Sequence, residues 1–287
     1  MTLPSNAFVL TVKCPDTIGI VYAVAGFLCD QGYFVEESSH FGDRDTNQFF
    51  MRTVFTPRDC VFSRREFARH FQAIADRFKM DWQVYDTNVR PRVLIMVSRL
   101  DHCLNDLLYR YRTGVLQMEI PAIVSNHMDL AELAQWHKIP YFYVPVTPEK
   151  RLQAEARLLE IAADTKVDLI VLARYMQILS EQTCRQLTGR IINIHHSFLP
   201  GFKGAKPYHK AFERGVKLIG ATAHYVTPEL DEGPIIEQGV ERVSHAYSPE
   251  DLAAVGRDIE SLTLARAVKL HLEHRVLLNG RKTVILN

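Results

Sequence analysis

From residue 92 onward, short apolar runs alternate with helical stretches: RVLIMVS at 92, IPAIVS at 120, IPYFYVP at 139, DLIVLAR at 168 and RIINIHH at 190. Runs of this length, rich in β-branched residues and almost unbroken by polar ones, suit strands buried on both faces. Helices between them must carry the chain back across the sheet, so a mostly parallel, doubly covered α/β sheet is expected. IGATAHYV at 219 and PIIEQGVERV at 234 are then joined by a loop too short for a helical crossover. The sheet should therefore end in an antiparallel pair. Residues 92–287 are expected to form one such Rossmann-like mixed sheet domain. Its last helix should run from Pro249 to about Arg275, with Asp251 near the N-terminus and Leu252, Val255, Ile259, Leu262, Ala265 and Val268 on its apolar stripe.

The first 86 residues follow a different order. AFVLTVKC alternates like a strand, and Ile18, Val21, Tyr22, Ala25 and Leu28 then recur at helical spacing up to Gly32. YFVEESSHF and QFFMRTVF flank the polar turn GDRDTN as a hairpin, Phe67, Phe71, Ile74 and Phe78 mark a second helix, and MDWQVYD closes the unit. Strand, helix, strand, strand, helix, strand is the ferredoxin-like βαββαβ unit, with both helices on one face of an antiparallel sheet. Residues 87–91, TNVRP, supply the linker. The loop CPDTIG at 14–19 resembles the opening of ACT domains, which commonly bind free amino acids between paired subunits. That resemblance implies a regulatory and oligomerising unit with Asp16 and Gly19 at an effector site, glycine or methionine being the effectors that one-carbon chemistry suggests. Asp16 as a helix cap and Gly19 as a tight turn explain the same residues equally well.

Charge and cysteine usage narrow the function. Formal net charge is +1, with both signs interspersed, so no electrostatic footprint for nucleic acid or an anionic membrane is present and a small-molecule ligand is expected. Five scattered cysteines without a C-x-x-C pair suit a reducing compartment and no disulfide framework. The N-terminus lacks the pattern of a signal peptide, and no long uncharged apolar stretch occurs, which makes the cytoplasm the expected location.

In an open parallel sheet ligands sit beyond the carboxyl ends of strands, and Asn193, His195 and Ser197 lie where the strand at 190 runs out. Asn193 and His195 point to one side and His196 to the other, which assigns His196 a structural place. The next strand brings His224, and the loop TPELDEGP presents Asp231, Glu232 and Gly233. A carboxylate can orient and deprotonate a water while an imidazole and a carboxamide stabilise the oxyanion formed from an activated carbonyl. No G-x-S-x-G elbow supports a covalent acyl-enzyme. The plain alternative is that Asn193 caps a turn and His195 is a satisfied strand-end residue. GFKGAKP is not a nucleotide loop, because Pro207 follows Lys206 where a hydroxyl is required. A zinc hydrolase built on His195, His209, His224 and Asp231 lacks any H-x-x-x-H pair, and no metal is expected.

The segment NIHHSFLPGFKGAKPYHKAFERGVKLIGATAHYVTPELDEGPII resembles the folate-dependent formyltransferase fold, whose pattern N-x-H-x-S-x-L-P, later histidine, D-x-G falls here on Asn193, His195, Ser197, Leu199, Pro200, His224, Asp231 and Gly233. With the ACT-like front, the whole layout resembles the formyltetrahydrofolate deformylases, which hydrolyse the 10-formyl group instead of passing it on. The resemblance implies a catalytic set of Asn193, His195 and Asp231, with His224 and Ser197 behind it. It also implies a folate wall of Met176, Gln177, Ile178 and Leu179, closed by Thr227, Pro228, Glu229, Leu230 and Gly233. For Met176 and the aliphatics a core position is the alternative. The substrate would be 10-formyltetrahydrofolate with no further cofactor, the product formate would feed purine synthesis, and the chain would be a homo-oligomer, up to a tetramer. Transfer to an amine acceptor, or amino-acid sensing without catalysis, are the competing readings. One departure stands out: SRLDHCLNDL replaces a glycine-rich phosphate loop, so Arg99, His102 and Cys103 are expected to plug an acceptor site, with ordinary helix-start residues as the alternative.

Overall fold

The computed structural model describes residues 6–58, 60–199 and 207–287. Pro200 and the loop through Lys206 lie outside the described residues. The chain forms two compact units: Met1–Arg90 with Glu273–Asn279 and Thr283–Asn287, and Pro91–Leu272 with Gly280–Lys282.

The first unit contains β1 (Phe8–Pro15), α1 (Ile20–Asp30), β2 (Tyr33–Asp43), β3 (Gln48–Pro57), α2 (Arg64–Phe78) and β4 (Asp81–Asp86). Its antiparallel sheet has the order β2-β3-β1-β4, the ferredoxin-like arrangement expected from the element sequence. Leu10, Phe27, Phe55, Phe67 and Phe71 meet in its core. Helix α2 starts where the Ser63 side chain accepts from the Glu66 amide. Helix α1 departs from expectation in its phase. Ile20, Val24, Phe27 and Leu28 are buried, whereas Ile18 is 99% and Tyr22 84% exposed. IVYAVAGFLC is apolar nearly all round, so spacing alone cannot select its inner face. Nor does Asp16 cap this helix: the N-cap is Gly19 at φ 96°, with no side-chain hydrogen bond. The left-handed backbone at Gly19 is the part of that expectation that the structure contains.

The second unit contains β5 (Arg92–Val97), α3 (His102–Arg112), β6 (Glu119–Ser125), α4 (Ala131–Trp136), β7 (Tyr141–Tyr143), α5 (Arg151–Asp164), β8 (Leu169–Leu172), α6 (Glu181–Gln186), β9 (Ile191–His195), α7 (Pro207–Glu213), β10 (Leu218–Tyr225), β11 (Ile235–Arg242) and α8 (Pro249–Leu272). The sheet order is β11-β10-β9-β8-β5-β6-β7. Strands β5 to β9 pair in parallel, and β10 runs antiparallel to both β9 and β11. This is the mixed sheet that the run lengths predict. The buried face of α8 carries Leu252, Gly256, Glu260, Leu264, Ala267 and Val268, while Leu262, expected inside, is 39% exposed. The same face also buries a carboxylate, Glu260.

The second domain does not run to 287 as expected. Beyond α8 the hairpin of β12 (Val276–Asn279) and β13 (Lys282–Ile285) belongs almost wholly to the first unit. Leu277, Val284 and Leu286 pack with Phe50, and the fully buried Arg52 donates from Nε to the Glu273 carbonyl at 3.0 Å and from Nη1 to Glu37 at 2.8 Å. A guanidinium taken out of water needs such partners. Among the described residues no helix is long and apolar enough to cross a membrane.

One buried histidine makes stability pH-dependent. His271 of α8 meets the Tyr225 hydroxyl at 2.7 Å, and burial pushes its pKa from 6.5 down to about 4. The folded protein therefore refuses a proton that the unfolded chain accepts. Its contribution is complete above about pH 6.5 and is lost as pH falls toward 4, about 3 kcal/mol in all. Urea unfolding of wild type and His271→Gln across that range should show a shallower pH slope for the variant; equal slopes would remove His271 from the account.

Candidate active site

The β9–β10 register pairs Asn193 with His224 and Thr222 with His195. Directly paired residues point to the same face, so two adjacent strands place a carboxamide beside an imidazole. Because β10 is antiparallel, His224 arrives beside the middle of β9 and not at a shared carboxyl end. The loop after β10 returns Asp231 to the same place. Asp231 adopts a left-handed backbone, φ 56°, and Gly233 is packed so closely on the chain that a Cβ would stand 1.7 Å from the Tyr225 carbonyl oxygen. Only glycine permits that approach.

The resulting distances assign protons. Asp231 Oδ2 lies 3.2 Å from His195 Nδ1. Burial alone would raise the pKa of Asp231, but the hydrogen bond from His195 and the electrostatic influence of the His195, His224 and His196 rings outweigh it and hold the carboxyl below its usual value. An ionised carboxylate only accepts, so His195 Nδ1 carries the proton, and Nε2 is buried without a hydrogen-bond partner among the described residues. Burial lowers the pKa of His224, leaving it neutral; its Nδ1 donates to the Tyr225 carbonyl at 2.9 Å. Its Nε2 then accepts from Asn193 Nδ2 at 3.3 Å. Asn193 thereby keeps a second N–H for a ligand. Through Nε2, His224 is thus bonded to Asn193, while Asp231 Oδ1 is 3.8 Å away.

These groups open onto a cavity of about 550 Å³. Met176, Gln177, Ile178 and Leu179 form one wall, and Thr227, Pro228 and Leu230 another. Met176, Ile178 and Leu230 are each more than half exposed, so their apolar surface is turned to the opening and not to the core. The first wall is pinned from behind: the Met176 amide donates to Ser98 Oγ at 3.0 Å, Arg151 Nη2 donates to the Ile178 carbonyl at 2.7 Å, and the Ser180 amide donates to Glu155 at 2.9 Å. Glu229, exposed, and Gly233, buried, are not on the cavity wall. Ser197 is also off the wall; its carbonyl accepts from Thr222 Oγ1 at 3.0 Å.

Arg99, His102 and Cys103 do not face this cavity. Arg99 is exposed beside His127, Cys103 is fully buried on the inner face of α3, and His102 Nε2 bonds Glu260 at 2.7 Å. The helix that starts at His102 turns His102 and Cys103 into the α3 and α8 packing, whereas Arg99 stays exposed before it, so the three do not come together at this cavity. Conversely, Arg174 and His196 line the cavity although sequence reasoning passed over the first and assigned the second a structural place. Arg174 has φ 65°, an unusual backbone for a non-glycine residue directly after a strand, and His196 stacks on His195 with ring centroids 4.9 Å apart.

An α/β sheet of this order with an amide, imidazole and carboxylate around one cavity defines a formyltransferase-type domain, and residues 91–268 match the formyl transferase family. A glycinamide ribonucleotide transformylase from Symbiobacterium toebii covers 69% of this chain and 95% of its own at 30% identity and a TM-score of 0.65. Similarity to one subgroup extends over both units. A formyltetrahydrofolate deformylase from Corynebacterium sp. (strain P-1) is 48% identical over 97% of each chain. The crystal structure of another from Burkholderia mallei is 53% identical, with a TM-score of 0.94 over 98% of this chain and 100% of that one. The chain belongs to the formyltetrahydrofolate deformylase family.

Proposed function

We propose that the chain hydrolyses 10-formyltetrahydrofolate to formate and tetrahydrofolate. The observation that carries this reading is the His195 Nε2 atom, buried at the cavity wall and without a hydrogen-bond partner among the described residues while Nδ1 is anchored on an ionised Asp231. Water attacks the formyl carbon and gives up its proton to the Asp231–His195 pair. The free N–H of Asn193 meets the developing oxyanion. His195 then passes the proton from Nε2 to N10, the C–N10 bond breaks, and formic acid leaves as formate. The apolar walls at Met176, Ile178 and Leu230 suit the pterin rings, and backbone groups of both loops suit their donors and acceptors.

The test omits any acceptor. Purified protein given 10-formyltetrahydrofolate alone should release formate and tetrahydrofolate in equal amounts. Turnover that begins only when an amine is added would make the chain a transferase and overturn the reading.

We assign the first unit to self-association and amino-acid sensing at Asp16 and Gly19. Supporting this are the exposed apolar residues Val21 and Tyr22 on α1 and Ile18 just before it, and the left-handed turn at Gly19. Calorimetric titration with glycine and methionine is the test, and no heat with either would remove the sensing role. The five free cysteines suit a reducing compartment such as the cytoplasm.

A further inference from the structure

Behind the catalytic residues the second unit buries a cluster of charged and polar side chains that the hydrolysis mechanism does not use. Glu260, on the inner face of α8, is 1% exposed. One of its oxygens, Oε2, bonds His102 Nε2 at 2.7 Å and is ion-paired at 3.3 Å with Arg174 Nε, which lacks a hydrogen-bond partner among the described residues; the other, Oε1, accepts from the Tyr208 hydroxyl at 2.7 Å. Room for that tyrosine exists because residue 256 is glycine, where a Cβ would stand 2.0 Å from the hydroxyl. Burial alone would raise the pKa of Glu260, but the His102 hydrogen bond, the Arg174 charge and the Tyr208 hydrogen bond together hold it below its usual value. Such a carboxylate is costly to bury and strongly penalised if one partner is lost.

A metal does not account for the cluster. His102, Cys103 and Glu260 bring one ligand atom each within 4.8 Å of one another. The guanidinium of Arg174 already supplies the positive charge there, and burial raises the pKa of the Cys103 thiol, keeping it protonated.

The other end of Arg174 points to function. Its Nη1 lies 2.6 Å from His196 Nδ1. A guanidinium only donates, so His196 Nδ1 is the unprotonated nitrogen and the proton of the neutral ring sits on Nε2. That ring lies face to face with His195, 21° from parallel. Arg174 itself holds a left-handed backbone, a conformation that persists only where its surroundings enforce it. We propose that Glu260 is a positioning residue for the reaction: through Arg174 it fixes His196 in one tautomer stacked on His195, which keeps His195 Nε2 aimed at the formyl group.

The proposal rests on the hydrolytic reading, and its test separates the two. Glu260→Gln keeps the shape and removes the charge that anchors Arg174. The kcat for formate release should fall roughly thirtyfold with KM within about twofold, because a small misplacement of a reacting group costs up to ~100-fold. Nitrogen NMR of isotope-labelled histidine should show His196 with an unprotonated Nδ1 in the wild type and a mixture of tautomers in the variant. Tyr208→Phe removes a donor from Glu260 without touching the Arg174 link and should keep kcat within about twofold of wild type. An unchanged kcat in Glu260→Gln, a lost kcat with an unchanged His196 signal, or an equal loss in Tyr208→Phe would each overturn the proposal. If Glu260→Gln does not fold, Arg174→Lys reads the same link, since an ammonium cannot bridge Glu260 and His196; it should give the same kcat loss and mixed tautomers, and wild-type values would overturn the proposal. Absence of wild-type turnover would contradict the hydrolytic reading alone, because the His196 signal is measured without substrate.

Discussion

Asp231→Asn should lower kcat about a thousandfold or more while leaving the fold and KM nearly unchanged. The asparagine oxygen can still accept from His195 Nδ1, which is 3.2 Å from Oδ2 in the wild type, so the imidazole keeps its place. What the amide cannot do is stabilise His195 once that imidazole has taken up the proton that water loses. The backbone tolerates the exchange, because Asp231 sits at φ 56° and asparagine enters that left-handed region as readily as aspartate. Unchanged thermal unfolding together with lost formate release is the expected pair of results. A variant with wild-type kcat would remove Asp231 from the chemistry.

Gly233→Ala should be nearly as damaging for a different reason. An added Cβ would stand 1.7 Å from the Tyr225 carbonyl oxygen, 2.9 Å from its carbon and 3.2 Å from His224 Nδ1. Two of those atoms are backbone in β10, so no side chain can move aside. The loop must retreat, giving up the bond from the Tyr225 amide to the Pro234 carbonyl at 2.9 Å and carrying Asp231 away from His195. A loss of about 3 kcal/mol in stability and of ~99% of kcat is expected. Gly26→Ala on α1 is the matched control: nothing lies within 4 Å of its Cβ, and alanine in a helix should be neutral or slightly stabilising. Denaturant unfolding and kcat measured on both variants check the contrast, and equal effects would mean that Gly233 serves only as a turn residue.

How much of this was legible in the sequence follows from how local each feature is. The strands from β5 to β11 announce themselves as apolar runs bounded by polar turns, and the alternation in INIH sets Asn193 and His195 on one side. Asp231 is visible because it lies in a loop next to a required glycine. Arg174 and His196 are 22 residues apart and meet because β8 and β9 are parallel neighbours, with Leu172 paired to Asn193, so the residues just past both strands converge. Glu260 is harder still. A lone carboxylate in a helix is ordinarily solvated, and nothing along the chain links it to His102, Arg174 and Tyr208, which come from three separate segments. The C-terminal hairpin did leave a trace, the Asn279-Gly280 pair between the apolar runs of β12 and β13, but its membership of the first unit depends on contacts with Phe50 and Arg52 that only the folded chain reveals.

The central claim, that solvent takes the formyl group at the Asn193, His195 and Asp231 cavity, is tested most directly by running the reaction in heavy-oxygen water with 10-formyltetrahydrofolate and no amine. The account predicts formate bearing one solvent oxygen, released in step with tetrahydrofolate by the wild type and not by Asp231→Asn. Formate without the solvent label, or none until an amine is supplied, would contradict it.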